Sequence, residues 1–150
     1  MRAVLQRVSE ASVEVDSKTV ASIKHGLVVL LGIEDEDTSD DISWLTRKIA
    51  NLRIFPDEEN HMNISLTDSG GEIIVVSQFT LHASTKKGNR PSFIKAAKPD
   101  TAVQLYQQFV QRLEKELDGK VQTGIFGAMM NVSLVNDGPV TLVIDTKNKE

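Results

Sequence analysis

The chain has 150 residues and a net charge of −4, and 40% of its residues are hydrophobic and 25% charged, which argues against disorder. Cysteine is absent, which excludes disulfide scaffolds, thiolate metal sites and cysteine nucleophiles. Only seven residues are aromatic, too few for the base-stacking platform of an RNA-recognition sheet.

The first part of the chain is predicted to form strands. Residues 2–9 alternate between two faces, and residues 12–15 and 19–23 form a hairpin around residues 16–18. Residues 26–33 are a continuous apolar run, which is typical of a central strand covered on both sides.

Two amphipathic helices are predicted after these strands. Thr38 or Ser39 can cap the first helix, whose apolar stripe ends at Leu52. The second helix runs over about residues 100–117, and Gly119 follows it as a stop.

The remaining segments are predicted strands. Residues 53–56 form a short strand stopped by proline, residues 72–81 a longer strand, and residues 121–145 strands interrupted at residues 136–139. No repeat or linker divides the chain, so residues 1–150 are predicted to form a single domain. About seven or eight strands and two helices predict a mainly antiparallel α+β fold.

The sequence carries no membrane or export signal. The longest unbroken apolar run covers residues 27–31, far short of the ~20 residues that cross a bilayer. We therefore expect a soluble, intracellular protein with no membrane partner.

Charge is distributed unevenly along the chain. Between Glu72 and Asp100 there is no acidic residue and there are five basic ones, so the rest of the chain carries −9 against −4 overall. A basic stretch in an acidic protein indicates an anionic partner, although a solvated lysine-rich loop would give the same pattern. The basic residues are Lys86, Lys87, Arg90, Lys95 and Lys98.

Polar residues end the predicted strand 72–81, just before the basic stretch. If the strand continues, Ser77 and Phe79 lie on one face and Gln78 and Thr80 on the other. Polar side chains at the end of a buried strand are well placed to line a site, but a strand emerging into solvent would look the same.

A second unusual segment is Asn136-Asp137-Gly138-Pro139, between two apolar strands. It is typical of a tight hairpin corner. It also leaves the backbone at Gly138 bare, so that carbonyl groups there could touch a ligand without an intervening side chain.

Several known mechanisms have no motif in this sequence. Phosphate-binding loops, dinucleotide-binding glycine patterns, zinc-protease motifs and the nucleophile elbow are all missing. The three histidines lack metal-ligand spacing, which leaves a Ser-His-Asp triad built on His82 as an alternative.

Taken together, residues 1–8, 77–81, 87–93 and 124–141 resemble the D-aminoacyl-tRNA deacylase family, also called D-tyrosyl-tRNA deacylase. The resemblance covers essentially the whole chain in the right order. It implies a barrel-like antiparallel fold, a homodimer with active sites at the subunit interface, a cytoplasmic location, and no metal or organic cofactor.

The resemblance also assigns roles to individual residues. It places the catalytic motif on Ser77, Gln78, Phe79 and Thr80, and a Gly-cisPro motif on Gly138 and Pro139. Met129 stands where some relatives carry an acid or an aromatic residue. The remaining assignments are substrate binding for Arg7, Met130 and Asn136, and tRNA binding for Lys86, Lys87 and Arg90.

The implied reaction is hydrolysis of the ester between a D-amino acid and the terminal adenosine of tRNA, and of glycine attached to alanine tRNA. An aminoacyl ester is already activated, so we favour water positioned by the ribose 2′-hydroxyl over a covalent Thr80 nucleophile, which lacks a neighbouring base. Carbonyl groups at Gly138-Pro139 would bind the α-ammonium group and exclude an L side chain.

Two other functions remain open from the sequence. A non-enzymatic RNA- or nucleotide-binding module would account for the basic stretch, but not for the two polar motifs. A general serine or threonine esterase built on His82 would cleave esters without RNA.

Overall fold

The computed structural model describes residues 1–149. Its regular elements are strands and helices, and a 3₁₀ turn follows the sixth strand. In chain order they are β1 (Arg2–Val15), β2 (Lys18–Ile23), β3 (Gly26–Gly32), α1 (Ser39–Asn51), β4 (Arg53–Pro56), β5 (Met62–Ser65), α2 (Leu66–Ser69), β6 (Glu72–Ser77), the 3₁₀ turn (Phe79–His82), α3 (Pro99–Glu116), β7 (Val121–Thr123) and β8 (Asn131–Asp145).

The main sheet is mixed. Its strands lie in the order β2-β1-β3-β6-β7. Along one edge, the long strand β1 pairs with β3 through its first half and with β2 through its second half, and along its other edge it pairs with β8. Strand β1 is antiparallel to β2, β3 and β8, whereas β3/β6 and β6/β7 are parallel pairs. The predicted α+β class is confirmed, but "mainly antiparallel" is only partly right. The connections that contain α1 and α3 return the chain to the same end of the sheet, which makes the following pairs parallel.

The predicted hairpin is confirmed, with one long strand in place of two short ones. β1 is continuous over 14 residues, and Asp16 and Ser17 form the turn with φ values of 49° and 61°. Positive φ at both turn positions matches the twist of the flanking strands.

A side chain closes the gap between the outer strands β2 and β7. The Gln122 amide accepts a hydrogen bond from the Ser22 N–H at 2.8 Å and donates one to the Ser22 carbonyl at 2.7 Å. This pair imitates a backbone ladder and makes the sheet a nearly closed barrel.

The two predicted helices are present and cover one side of the sheet. Thr38 is the N-cap of α1, and its N–H donates to the Asp41 carboxylate at 2.9 Å. In α3, the Tyr106 hydroxyl donates to the Val75 carbonyl at 2.8 Å, and burial raises the pKa of the Tyr106 phenol. The prediction missed the one-turn helix α2, which is too short to show an apolar period.

The predicted strand 72–81 is wrong in its second half. β6 ends at Ser77, and the chain turns into the 3₁₀ turn. The Gln78 N–H makes the last bond to β3, at 2.7 Å from the Leu31 carbonyl, and the Leu81 N–H then bonds back to the Gln78 carbonyl. Local i-to-i+3 bonds replace the ladder because β3 itself ends at Gly32.

Within residues 1–149, no helix combines the length and the apolar character that crossing a membrane requires.

Candidate active site

A cavity of about 430 Å³ lies where β3 and β6 end. Its lining is mostly apolar, and the polar groups come from the end of β6 and the start of the 3₁₀ turn. All four residues of the predicted catalytic motif line this one cavity, so they are not divided between two faces of a strand. The lining residues include Leu31, Ser77, Gln78, Phe79, Thr80, Phe126, Met129 and Met130.

The 3₁₀ turn fixes the hydroxyl of Thr80. The Gln78 amide donates a hydrogen bond to Thr80 Oγ1 at 2.6 Å, and the Thr80 carbonyl accepts from the Ala83 N–H at 3.0 Å. Because Oγ1 already accepts a bond, its own proton is free to point into the cavity. The arrangement orients a hydroxyl donor, and no basic side chain among residues 1–149 is bonded to it that could activate a nucleophile.

The wall of the cavity opposite this motif is the loop before β8. A Cβ placed on Gly124 would lie 2.5 Å from the Met130 sulfur, so any larger residue there would force the Met130 side chain to move. Met129 stands at the mouth and is 92% exposed. Phe126 also lines the cavity, and its ring centroid is 5.5 Å from that of Tyr106. Sequence analysis missed this residue, although its position in a loop flanked by glycines, between β7 and β8, could have indicated a lining role.

The Gly138-Pro139 turn is held by side chains on both sides. Its peptide bond is cis, and Gly138 has a φ of 152°. Arg7 Nε donates to the Asp137 carbonyl at 2.8 Å, and Arg7 Nη1 donates to the Ile54 carbonyl at 2.5 Å. Arg7 therefore ties the turn to β4.

Asn136 stabilises the same turn by bonding across it to Val140. Its side-chain oxygen accepts from the Val140 N–H at 2.8 Å, and its amide donates to the Val140 carbonyl at 3.2 Å. Asn136 thus acts on the shape of the turn, while Gly138 and Pro139 remain exposed.

The turn and the cavity are separate within one chain. Neither Gly138 nor Pro139 lines the cavity. Arg7, which holds the turn, pairs with Leu27, whereas Leu31 lies at the cavity four residues further along β3. At about 3.3 Å per residue, the two places are roughly 13 Å apart along this strand. The structure therefore brings together the Ser77–Thr80 motif and Met130, but not Arg7, Asn136, Gly138 or Pro139.

His82 is buried behind the 3₁₀ turn. Its side chain is 1% exposed, and neither ring nitrogen has a hydrogen-bond partner in the part of the chain that the structure describes. The ring therefore bonds to no serine or threonine hydroxyl, and the arrangement needed by the alternative triad is not formed.

The basic stretch begins directly after the 3₁₀ turn. Lys86, Lys87 and Arg90 are exposed, on a loop closed by paired backbone bonds between Ser84 and Ser92 at 2.8 and 2.9 Å. The rings of Phe79 and Phe93 meet edge to face at 5.1 Å, which fixes this loop at the cavity mouth.

Among residues 1–149, no group of three or more histidine and acidic side chains lies close enough together to hold a metal ion.

Comparison with known proteins gives one consistent family. A sequence model of the family described as D-Tyr-tRNA(Tyr) deacylase matches residues 4–145. The chain is 66% identical to the D-aminoacyl-tRNA deacylase of Flavobacterium psychrophilum and 64% identical to that of Flavobacterium johnsoniae, over the full length of both chains in each case.

Two solved structures are similar to the fold. A c-Myc DNA Unwinding Element Binding Protein is 43% identical with a TM-score of 0.92, and the match covers 97% of this chain and 98% of that one. A probable eukaryotic D-amino acid tRNA deacylase has a TM-score of 0.82 at 18% identity, and covers 95% and 97%. The second likeness concerns the fold alone.

Proposed function

Because the chain belongs to the D-Tyr-tRNA(Tyr) deacylase family, we propose that it hydrolyses the ester of D-aminoacyl-tRNA and releases a free D-amino acid and tRNA. The chain is a hydrolase that acts on carboxylic ester bonds. The observation that carries the proposal is the cavity at the end of β6, where the Ser77–Thr80 motif meets an apolar space of about 430 Å³.

The cavity suits a reaction that depends on orientation. Water attacks the ester carbonyl carbon, the bond to the ribose 3′-oxygen breaks, and that oxygen takes up the proton. The first N–H groups of a 3₁₀ helix lack partners inside it, so the amides of Phe79 and Thr80 are suited to bind the developing oxyanion. Within residues 1–149 the Thr80 hydroxyl is bonded to the Gln78 amide and to no basic side chain, so we assign placement of the water to the ribose 2′-hydroxyl of the substrate.

Selection of the D-amino acid needs the Gly138-Pro139 turn next to the ester. Since one chain holds the turn away from its own cavity, we infer that a second copy supplies it and that the active unit is a homodimer. The turn's carbonyl groups would accept hydrogen bonds from the α-ammonium group and occupy the space of an L side chain. Glycine has no side chain that the turn could exclude, so glycyl-tRNA(Ala) is a further expected substrate.

The loop with Lys86, Lys87 and Arg90 is placed to meet the tRNA backbone. It is exposed, it carries no acidic residue, and the Phe79–Phe93 contact holds it at the cavity mouth. Phosphate contacts of this kind position a nucleic acid without reading its sequence. We place the reaction in the cytoplasm, where tRNA is charged.

The test measures hydrolysis of two substrates, D-tyrosyl-tRNA and the ethyl ester of D-tyrosine. Binding of uncharged tRNA is measured separately. The proposal predicts turnover of D-tyrosyl-tRNA and negligible cleavage of the RNA-free ester. Cleavage of both esters would favour a general esterase, and tRNA binding without turnover a binding module. One structural neighbour is named for a DNA element, so duplex DNA is added as competitor, and we expect it to compete less well than tRNA.

A further inference from the structure

Two walls of the active-site cavity are joined through one backbone carbonyl, that of Val75 on β6. This carbonyl accepts a hydrogen bond from the Tyr106 hydroxyl at 2.8 Å and another from the Gly124 N–H at 3.2 Å. Gly124 begins the loop whose residues 126–130 line the cavity opposite the Ser77–Thr80 motif. Burial raises the pKa of the Tyr106 phenol, so this donor keeps its proton. Tyr106 therefore ties α3 to the strand that carries the motif, at the point where the loop begins.

Tyr106 also contacts the loop through its ring. The ring centroids of Tyr106 and Phe126 are 5.5 Å apart, and the planes of the two rings meet at 56°. Phe126 lies in a tight turn, in which the Ala128 N–H donates to the Ile125 carbonyl at 3.2 Å. Such a turn fixes the local backbone, whereas the direction of a side chain depends on its rotamer and on what it packs against. The contact with Tyr106 therefore sets where the Phe126 ring lies.

A second open space lies on the other side of Phe126. It is a groove of about 430 Å³ between α3 and β7, and both Phe126 and Tyr106 line it. Phe126 lines the active-site cavity as well, so its ring separates the two spaces. Side chains in a closely packed interior are held from all sides, but a ring beside an open groove is held chiefly by the contacts that it does make. Without the Tyr106 ring, the groove would be larger and Phe126 would be free to move into it.

We propose that Tyr106 is a positioning residue for ester hydrolysis, whose ring holds Phe126 in the wall of the active-site cavity. The Tyr106 hydroxyl fixes that ring against β6. Tyr106 does not itself line the active-site cavity, so it acts through Phe126. The inference rests on the proposed deacylase function and adds a specificity-determining contact from α3 to the same site.

The proposal separates binding from the chemical step. A wall that contacts the substrate equally in the ground state and in the transition state contributes to KM and not to kcat. The Thr80 hydroxyl lies on the opposite wall and is oriented by Gln78, at 2.6 Å, so displacement of Phe126 leaves it in place. Loss of the Tyr106 ring should therefore raise KM and spare kcat.

The test is the measurement of kcat and KM for D-tyrosyl-tRNA with wild type, Tyr106→Leu and Tyr106→Phe. We expect Tyr106→Leu to raise KM by about tenfold, as for one lost contact in an apolar pocket, and to keep kcat within about twofold of wild type. Tyr106→Phe keeps the ring and should restore KM to within about twofold of wild type, although its lost hydrogen bond lowers the free energy of unfolding.

Two further variants separate positioning from general stability. Phe126→Leu alters a half-buried loop residue and leaves α3 intact, so it tests the same contact even if Tyr106→Leu folds poorly. It should raise KM in the same way, and the double variant should lose no more than either single variant. The control is Phe109→Leu, which changes a fully buried core residue of α3 that does not line the cavity, and which should lower stability without changing KM.

An active wild type with KM unchanged in both Tyr106→Leu and Phe126→Leu would overturn this inference and leave the proposed function standing. An equal rise of KM in Phe109→Leu would also overturn it, because the effect would then follow from destabilisation alone. If wild type hydrolyses no D-tyrosyl-tRNA, the proposed function fails, and the role of Tyr106 in it fails too.

Discussion

At the scale of single residues, the hydrogen bond from Gln78 to Thr80 bears on the choice between two proposed mechanisms. It uses a lone pair of Thr80 Oγ1 at 2.6 Å, and within residues 1–149 no basic side chain is bonded to this hydroxyl. A threonine nucleophile needs such a base, whereas a hydroxyl that only orients the substrate does not. Sequence analysis identified both residues but placed them on a strand, where residues two apart share a face without such a bond.

Replacing Thr80 tests this distinction. Thr80→Ala should lower kcat by about tenfold, the equivalent of one lost hydrogen bond, since loss of a true nucleophile costs about a million-fold. Thr80→Ser keeps the hydroxyl and should stay near the wild-type rate. The measurement is single-turnover deacylation of D-tyrosyl-tRNA. A loss of several orders of magnitude in Thr80→Ala would restore the covalent mechanism.

Gly138→Ala tests the source of chiral selection. An added Cβ would lie 2.6 Å from the Val140 nitrogen, and the φ of 152° is unfavourable for a side chain, so the turn must shift. We expect the ratio of D to L hydrolysis to fall by at least about tenfold, chiefly because L-tyrosyl-tRNA becomes a substrate.

The matched control is Gly119→Ala, which also has a positive φ of 80° but meets open space. It should leave the D/L ratio unchanged. If Gly138→Ala also keeps its ratio while remaining folded, selection lies outside this turn.

At the scale of elements, the closure of the barrel depends on one side chain. β2 and β7 do not pair through their backbones, and Gln122 joins them through two hydrogen bonds to Ser22. Such a contact cannot be predicted from a hydropathy pattern, because a lone glutamine in a short strand is equally typical of a solvated position.

Gln122→Ala should therefore destabilise the fold by about 1–2 kcal/mol, the net worth of two hydrogen bonds. Urea unfolding followed by the emission of Trp44, the one tryptophan of the chain, measures this change. Gln108→Ala removes an exposed glutamine from α3 and should change the free energy of unfolding by less than about 0.5 kcal/mol. Equal effects in the two variants would mean that the Gln122 bonds do not close the barrel.

The elements that sequence could predict are those with a clear period or turn. The helices α1 and α3 and the β1–β2 hairpin were predicted closely, because apolar stripes and two turn residues define them. The 3₁₀ turn was not, because the apolar period of β6 continues into Phe79 and Leu81 while the ladder ends with β3. Parallel pairing was also missed, since it depends on how the chain returns through α1 and α3.

At the scale of the whole molecule, charge distinguishes the loop that we propose to meet tRNA from the rest of the chain. The chain carries −4 in total, yet the stretch between Glu72 and Asp100, which includes the loop at the cavity mouth, has five basic residues and no acidic one. Sequence alone gave this asymmetry, and the Phe79–Phe93 contact connects it to the cavity. The separation of Gly138-Pro139 from that cavity could not be predicted, because it depends on the register of β1 against β3 and β8.

Neutralising Lys86 and Lys87 together should weaken tRNA binding in a salt-dependent way. Each lysine that contacts a phosphate adds about one unit to the slope of log affinity against log salt, so Lys86→Gln with Lys87→Gln should reduce that slope by up to about two. The control is Lys18→Gln with Lys24→Gln, two lysines on β2 and the turn after it, with the same charge change. An unchanged slope in the first pair would place the RNA contact elsewhere.

We propose above that the protein removes D-amino acids from tRNA and spares L-amino acids. The most direct measurement is hydrolysis of matched D- and L-tyrosyl-tRNA by the purified wild-type protein, at equal concentrations and in the same buffer. We expect rapid loss of the D ester, with the L ester decaying at its spontaneous rate. Equal loss of both esters would contradict the selection assigned to Gly138-Pro139, and loss of neither would contradict the deacylase activity itself.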